Sequence, residues 1–337
     1  MVSAEPARPV EPSKGDDATV TSRLATDAEV TTWREDGWVL LDGLVGTEEM
    51  DALAEDVRAL FPSPEDLHAD PEGVYERWRG RPKEPEEVFV WSDEGPGFRP
   101  AQQRWMAAFP FPGTGVLNRM CVHHSIVDFA ERALGSADIR LYQAHASAKY
   151  AGVTNYEQPM HTDRNHSWLP AGSVAPWWNL EGFLYLTDVT EDDNPTRLVS
   201  VRDTSHIDNP YGVVMPRTEP AVYAAERPAP GVRGSYLAYR SDCYHRGAPF
   251  GSGTGARIVA AVAFKHAEVD WIGYDTQQNR STGMEWTVFV EGSTPRELAL
   301  FGWPPPGHPI WDERLLHQTQ QRYPALDLTP WRAALGE

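Results

Sequence analysis

Residues 139–150 read Ile-Arg-Leu-Tyr-Gln-Ala-His-Ala-Ser-Ala-Lys-Tyr and alternate with period two. In an extended chain, side chains two apart share a face. Gln143, His145, Ser147 and Lys149 therefore lie on one side, and Tyr142, Ala144, Ala146 and Ala148 on the other. A polar face opposite a face of small apolar groups suits a barrel strand whose interior is a wet site. Further short strand patterns follow at 181–189, 197–201, 211–215, 234–239 and 257–264, separated by Asn-Pro, Asp-Asn-Pro and Gly-rich turns. Many short strands with frequent turn signals predict a mainly β fold, a jelly roll or barrel, with flanking helices.

The main helix signals precede residue 136. Thr26 and Asp27 predict the cap of a helix that ends before Gly37, and Trp38–Leu41 reads as a short buried strand. Thr47 predicts a second helix start, with Met50, Leu53, Val57 and Leu60 at helical spacing. Ser125 opens a third, with Ile126, Phe129, Ala130 and Leu134 on one face and Gly135 as its stop. Residues 62–115 are rich in Pro, Gly and charge and predict a long irregular insert with at most one short helix, and the tail from about 270 predicts an irregular C-terminal extension that ends in a short helix. Residues 1–22, dominated by Pro, Ala, Glu, Lys and Asp, predict a disordered tail before a single domain over 23–337.

Composition excludes several classes of partner. Lys plus Arg is 30 and Asp plus Glu is 49, a net charge of −19. Nucleic acid is bound by Lys and Arg neutralising phosphates, and anionic membranes attract basic segments, so neither partner fits. The longest apolar run, Ile258–Phe264, has seven residues, far short of the roughly 18 that a membrane-spanning helix needs. Two cysteines do not make a disulfide framework. The expectation is a soluble, cytoplasmic protein that acts on a small molecule; the residues leave its oligomeric state open.

The chemistry gathers around His161-Thr162-Asp163. In an extended segment the imidazole and the carboxylate point the same way and can meet one cation. A third ligand, distant in sequence and adjacent in a rolled sheet, completes a 2-His-1-carboxylate face, the set that suits non-heme Fe(II) because it leaves positions open. His245, 84 residues downstream at a strand end, is the best third ligand, and Arg257, twelve residues further, offers a two-pronged grip on a carboxylate. His206 is the competing third ligand but lacks a suitably spaced arginine. His145 shares its face with Lys149 and is a pocket candidate, with a hydrogen-bonded interior histidine as the alternative. His166, five residues past His161, is a loop residue that could touch substrate. Trp168, Trp177 and Trp178 read as core, with one walling the pocket as a second reading. Asn179, Glu181, Tyr185 and Thr187 share one strand face and either line the cavity or face solvent. Arg246 should point away from His245 and form a surface ion pair, and Cys243 reads as a small buried hydrophobe.

The ordered set resembles the phytanoyl-CoA dioxygenase family of Fe(II)- and 2-oxoglutarate-dependent oxygenases, whose core is a double-stranded β-helix. The segment TTWREDGWVLLDGLVGTEEMDALAEDV resembles that family's start, NLEGFLYLTDVTEDDNPTRLVSVRDTSH its central strands, and GVRGSYLAYRSDCYHRGAPFGSGTGARIVAAVAF its distal-histidine hairpin. The likeness spans roughly 25–270. It implies His161, Asp163 and His245 as iron ligands, Arg257 as the 2-oxoglutarate clamp and Lys149 as a further cosubstrate contact. It implies Fe(II), 2-oxoglutarate and O2 as cofactors and a C–H oxidation that releases succinate and CO2. Related halogenases have Gly or Ala at the Asp163 position, so the carboxylate favours hydroxylation or another oxidation. The family usually reads Pro-Gly-Ser-His where this chain has Asp203-Thr204-Ser205-His206. The charge disfavours a CoA thioester, although Arg77, Arg79, Arg81 and Lys83 could form a local phosphate site; a specialised metabolite, an amino-acid derivative or an amine suits it better. On the residues alone, a non-oxygenase metal enzyme on a cupin-like scaffold and a non-catalytic ligand-binding jelly roll stay open as alternatives.

Overall fold

The computed structural model describes residues 21–78, 87–92, 95–100, 105–151, 158–163, 177–207, 212–248, 250, 255–269, 272–274 and 284–336. Among them the strands form a six-stranded and a five-stranded sheet, both antiparallel, and a separate hairpin. The larger sheet runs Trp38–Leu41, Tyr236–Arg240, Asn179–Tyr185, Ala256–His266, Ile139–Tyr150, Trp105–Ala108. The smaller runs Arg227–Pro228, Arg197–Leu198, His245–Arg246, Met160–His161, Val213–Val214. From Ile139–Tyr150 to Asn179–Tyr185, and again from Tyr236–Arg240 to Ala256–His266, the chain passes from the larger sheet to the smaller and back, and with its helices on the outside this is a jelly roll of the cupin type.

The small face of Ile139–Tyr150 explains where the helices go. Ala144, Ala146 and Ala148 are buried with Ala260, Val262 and Phe264 of the neighbouring strand. Such short side chains let bulky helix residues approach, and the same core contains Trp33 of helix Asp27–Asp36 and Phe129 of helix His124–Leu134, whose rings meet edge to face at 6.5 Å. Both helices stop as their sequences predict, with Gly37 and Gly135 in the left-handed region. Thr26 forms a full capping box with Glu29. The other two starts shift: Gly46, not Thr47, caps the second helix, which breaks at Leu53, and His123 caps the third by accepting from the Ser125 amide.

Three expectations are corrected. The stretch read as an irregular insert holds helices Pro64–Ala69 and Pro71–Arg77, the hairpin Glu87–Ser92/Gly95–Pro100 and the edge strand Trp105–Ala108. Two of its prolines, Pro64 and Pro71, sit at helix first turns, where the missing amide costs nothing. The C-terminal extension is largely helical, with Met284–Glu291, Pro295–Ala299, Glu313–Arg322 and Thr329–Leu335. It joins the core through aromatic packing, Phe109 lying 5.0 Å from Phe289 and 5.6 Å from Phe301. Lastly, Tyr142 does not stay with the alanines. The register shifts between Ala263 and Phe264, and this bulge turns Tyr142 to reach Glu181. Of the predicted tail 1–22, residues 1–20 lie outside the described residues, and Ser22 accepts from the Gly46 amide at 2.7 Å; Arg79, Arg81 and Lys83 of the basic cluster also lie outside, and Arg77 pairs with Asp70. Among the described residues, no helix is long and apolar enough to cross a membrane.

Gly182 shows how tightly the larger sheet is packed. The Tyr236 side chain crosses it to donate a hydrogen bond to the Val262 carbonyl at 2.6 Å, and a Cβ on Gly182 would lie 2.1 Å from the Tyr236 hydroxyl oxygen. Gly182→Ala is expected to cost about 1–3 kcal/mol, read as a lower melting temperature; an unchanged melting curve would contradict this packing.

Candidate metal centre

Two strands of the smaller sheet bring the histidines together. His161 and His245 are register partners on adjacent antiparallel strands, and their rings lie 4.4 Å apart. Asp163 follows His161 by two residues, with carboxylate oxygens 3.9 Å from His161 Nε2 and 3.5 Å from His245 Nε2. One ligand atom from each of the three falls within 4.8 Å of the others.

Their neighbours aim them. His161 Nδ1 lies 2.8 Å from the Pro159 carbonyl and His245 Nδ1 3.0 Å from the Cys243 carbonyl. A carbonyl only accepts, so each Nδ1 carries the proton and each Nε2 turns a lone pair inward. The Tyr239 hydroxyl donates to Asp163 Oδ2 at 2.9 Å, and its ring lies 4.5 Å from that of His245. Two imidazole lone pairs and a carboxylate thus face one space, where they repel one another until a cation joins them. Two nitrogens and a carboxylate oxygen on one side fit ferrous iron.

This group opens on a cavity of about 200 Å³ between the sheets. Gln143, His145, Ser147 and Lys149, the polar face read from the sequence, all line it. Arg257 lines it as well and is the register partner of Lys149. Arg257 is buried, at 8% exposure, and its Nη1 donates to the Asn194 carbonyl and, at 3.5 Å, to Thr196 Oγ1. Gly247, two residues past His245, makes room for both sides: a Cβ there would stand 2.9 Å from Gln158 Oε1 and 3.0 Å from Lys149 Nζ.

Other candidates fall elsewhere. Tyr185 is buried in an apolar cluster with Leu198 and Val259, and its hydroxyl donates to the Ala229 carbonyl at 2.7 Å, so it does not line the cavity. Trp178 packs edge-on against His266 at 5.7 Å, also away from the lining. His206 is exposed. Arg246 is not on the surface: it is buried and holds Glu226 through two nitrogens, at 2.7 and 3.0 Å. Cys243 is buried, and burial pushes its thiol well above the usual range. His166 and Trp168 lie outside the described residues. Two lining residues, Glu181 and Tyr239, carry no decisive local signal in the sequence. Glu181 was one of four same-face residues, and only the pairing across three strands singles it out. Tyr239 follows strand parity from Glu181, but its bond to Asp163 crosses between sheets, which no local pattern encodes.

The phytanoyl-CoA dioxygenase (PhyH) family model matches residues 33–258, about two thirds of the chain. The chain belongs to this family. As a member of this class of 2-oxoglutarate-dependent oxygenases it takes Fe(II), 2-oxoglutarate and O2 as cofactors. No curated protein matches it at the sequence level. Among solved structures it is similar to SnoN, described as a non-heme alpha ketoglutarate dependent epimerase from nogalamycin biosynthesis, at 18% identity over 72% of this chain and 83% of that one, with a TM-score of 0.50. SnoK, a carbocyclase from nogalamycin biosynthesis, matches at 17% identity over 76% and 90%, TM-score 0.49. EctD from S. alaskensis matches at 14% over 77% and 89%, TM-score 0.48. At these identities the likeness is one of fold.

The buried phenols of this family member make a pH prediction. Burial raises Tyr142, Tyr236 and Tyr239 well above the ordinary value of 10.0, with the Glu181 charge adding to all three and Asp163 to Tyr142 and Tyr239. Burial raises Tyr150 and Tyr185 too. A phenol whose folded value lies above its unfolded one stabilises the fold below pH ~10, and that contribution is lost as pH rises beyond it. Phenolate absorbance is expected to show these five ionising only with unfolding, and stability to fall steadily above pH ~10. Twelve tyrosines titrating together in a still-folded protein would refute this.

Proposed function

We propose that the protein hydroxylates an unactivated C–H bond of a small molecule of specialised metabolism, consuming 2-oxoglutarate and O2 and releasing succinate and CO2. One observation carries this reading: the three donors of His161, Asp163 and His245 face the same cavity as the paired cations Lys149 and Arg257.

In this reading His161, Asp163 and His245 hold Fe(II). Bound there with 2-oxoglutarate and O2, the iron supplies the oxidising power that removes hydrogen from carbon. Pro159 and Cys243 keep the imidazoles in the ligating tautomer through their carbonyls, and Tyr239 holds Asp163 in place. Arg257 receives the distal carboxylate of 2-oxoglutarate, its guanidinium oriented by Asn194 and Thr196. Lys149 adds charge to the same end. A dicarboxylate needs such a cationic anchor; a metal site for hydrolysis or isomerisation does not. Because Asp163 occupies the position that the resemblance leaves open in halogenases, oxygen rather than halogen goes to the substrate carbon.

The test is an anaerobic titration of the protein with Fe(II) and 2-oxoglutarate, followed through the visible iron-to-cosubstrate charge-transfer absorption. The band is expected in the wild type and absent in His161→Ala. Arg257→Ala should need about tenfold more 2-oxoglutarate or worse, since a charged hydrogen bond is worth about 1.5–3 kcal/mol. An iron-loaded protein that forms no band would end the 2-oxoglutarate reading. Tyr239→Phe should weaken metal binding by about 10–100-fold, the usual cost of losing a residue that supports a ligand; Co(II) titration of the apo-protein reads this directly, and unchanged affinity would show that Tyr239 does not position Asp163.

A further inference from the structure

Beside the histidine pair, two strand segments are joined by a side chain. The Gln158 backbone amide donates to the Gly247 carbonyl at 3.0 Å, and the Gly247 amide donates to Gln158 Oε1 at 3.0 Å. Pro159 has no amide to give, and its carbonyl is taken by His161 Nδ1. The Gln158 side chain therefore serves Gly247 as the acceptor. This fixes which end of its amide is which. A backbone N–H only donates, so the oxygen faces Gly247 and Nε2 is left as a pure donor. Among the described residues, the bond to Gly247 is the one hydrogen bond this side chain makes, and Gln158 lines the cavity.

Lys149 stands beside it. Gln158 Oε1 and Lys149 Nζ lie 2.9 and 3.0 Å from the same point, the place of a Cβ on Gly247. Arg257, the register partner of Lys149, is held from elsewhere, by the Asn194 carbonyl and Thr196. Strand Arg197–Leu198, which follows Thr196, and strand Met160–His161, which follows Gln158 and Pro159, flank His245–Arg246 on opposite sides. An anion held by the two cations thus has Thr196 towards one flank and Gln158 towards the other. A carboxylate offers about four lone-pair sites and takes several donors at once. An ammonium on a flexible stem supplies charge with little direction. A neutral donor fixed in place supplies direction, and its bond to a carboxylate is roughly twice as strong as one to a neutral acceptor.

We propose that Gln158 is a further cosubstrate-binding residue: its Nε2 donates to the distal carboxylate of 2-oxoglutarate and gives direction where Lys149 and Arg257 give charge. This rests on the oxygenase reading above and adds a recognition residue to that site. One short segment then serves both ligands of the protein. Gln158 receives the carboxylate, the Pro159 carbonyl sets the His161 tautomer, and His161 and Asp163 face the metal.

The experiment titrates the Fe(II)-loaded protein with 2-oxoglutarate in the absence of oxygen and follows the charge-transfer band. A second titration uses 2-oxobutanoate, which keeps the chelating end and lacks the distal carboxylate. Gln158→Glu retains an acceptor for Gly247 and loses the donor; Gln158→Met loses the donor without adding charge. Both variants are expected to need about tenfold more 2-oxoglutarate or worse, the effect of losing one hydrogen bond to a charged group. Both should bind 2-oxobutanoate as the wild type does, and Gln158→Glu should keep the wild-type affinity for Co(II) in the apo-protein. Either variant binding 2-oxoglutarate as the wild type does, an equal loss for 2-oxobutanoate, or a loss matched by an equal loss of Co(II) affinity would each overturn the proposal. If Gln158→Met does not fold, Gln158→Glu still decides, and if 2-oxobutanoate gives no band, the 2-oxoglutarate and Co(II) titrations decide. Failure of the band to form in the wild type would instead refute the oxygenase reading, so the two outcomes are separable.

Discussion

The pairing of His161 with His245 is the constraint on which the site depends. Two strands of two residues each, remote in sequence, bring their rings to 4.4 Å, and each ring is turned by a carbonyl of its own segment two residues back. So short a pairing contributes little binding of its own. It holds because each strand is anchored beside the pairing: His245 follows the fully buried strand Tyr236–Arg240, and the Met160 side chain is packed with Val199 and Val214. The larger sheet and its helices make the stable body of the protein. The smaller sheet is laid on it, and the ligand geometry follows from where it is laid.

Asp163 shows the same dependence across sheets. It belongs to the histidine strand segment, but the hydroxyl that holds it comes from Tyr239 on the larger sheet. The phenol is buried and next to two carboxylates, so it stays protonated and acts as a donor at any ordinary pH. A lasting donor on one carboxylate oxygen fixes the direction of the other. Sheet-to-sheet packing thus sets the orientation of the Asp163 carboxylate through one hydrogen bond.

Much of this was legible in the chain. The two-residue period of 139–150 carries both halves of the architecture, alanines for the helices and Gln143, His145, Ser147 and Lys149 for the cavity, because strand parity is a local property. The spacing of His161, Asp163, His245 and Arg257 was legible because a jelly roll returns to the same place in a fixed strand order. What escaped depends on non-local contacts. Tyr142 left its expected face because a bulge in its pairing with 256–266 changes parity, and the residues of 139–150 alone give no sign of it. Tyr185 and Trp178 have the right residue type near the site, but their neighbours, Ala229 and His266, come from distant segments and draw them into packing. The Pro- and charge-rich character of 62–115 hid helices because proline in a first turn starts a helix rather than breaking it.

The distribution of charge inside the cavity separates what the family shares from what this chain does with it. Lys149 and Arg257 suit a dianionic cosubstrate common to the whole class, so they explain nothing about substrate choice. A substrate must then meet the remaining wall, where the groups are Glu181, Gln143 and His145. Glu181 is buried there and accepts from the Tyr142 hydroxyl, which leaves the alanine face where the pairing of 139–150 with 256–266 shifts register, so this wall is shaped by a feature of the chain's own strand pairing.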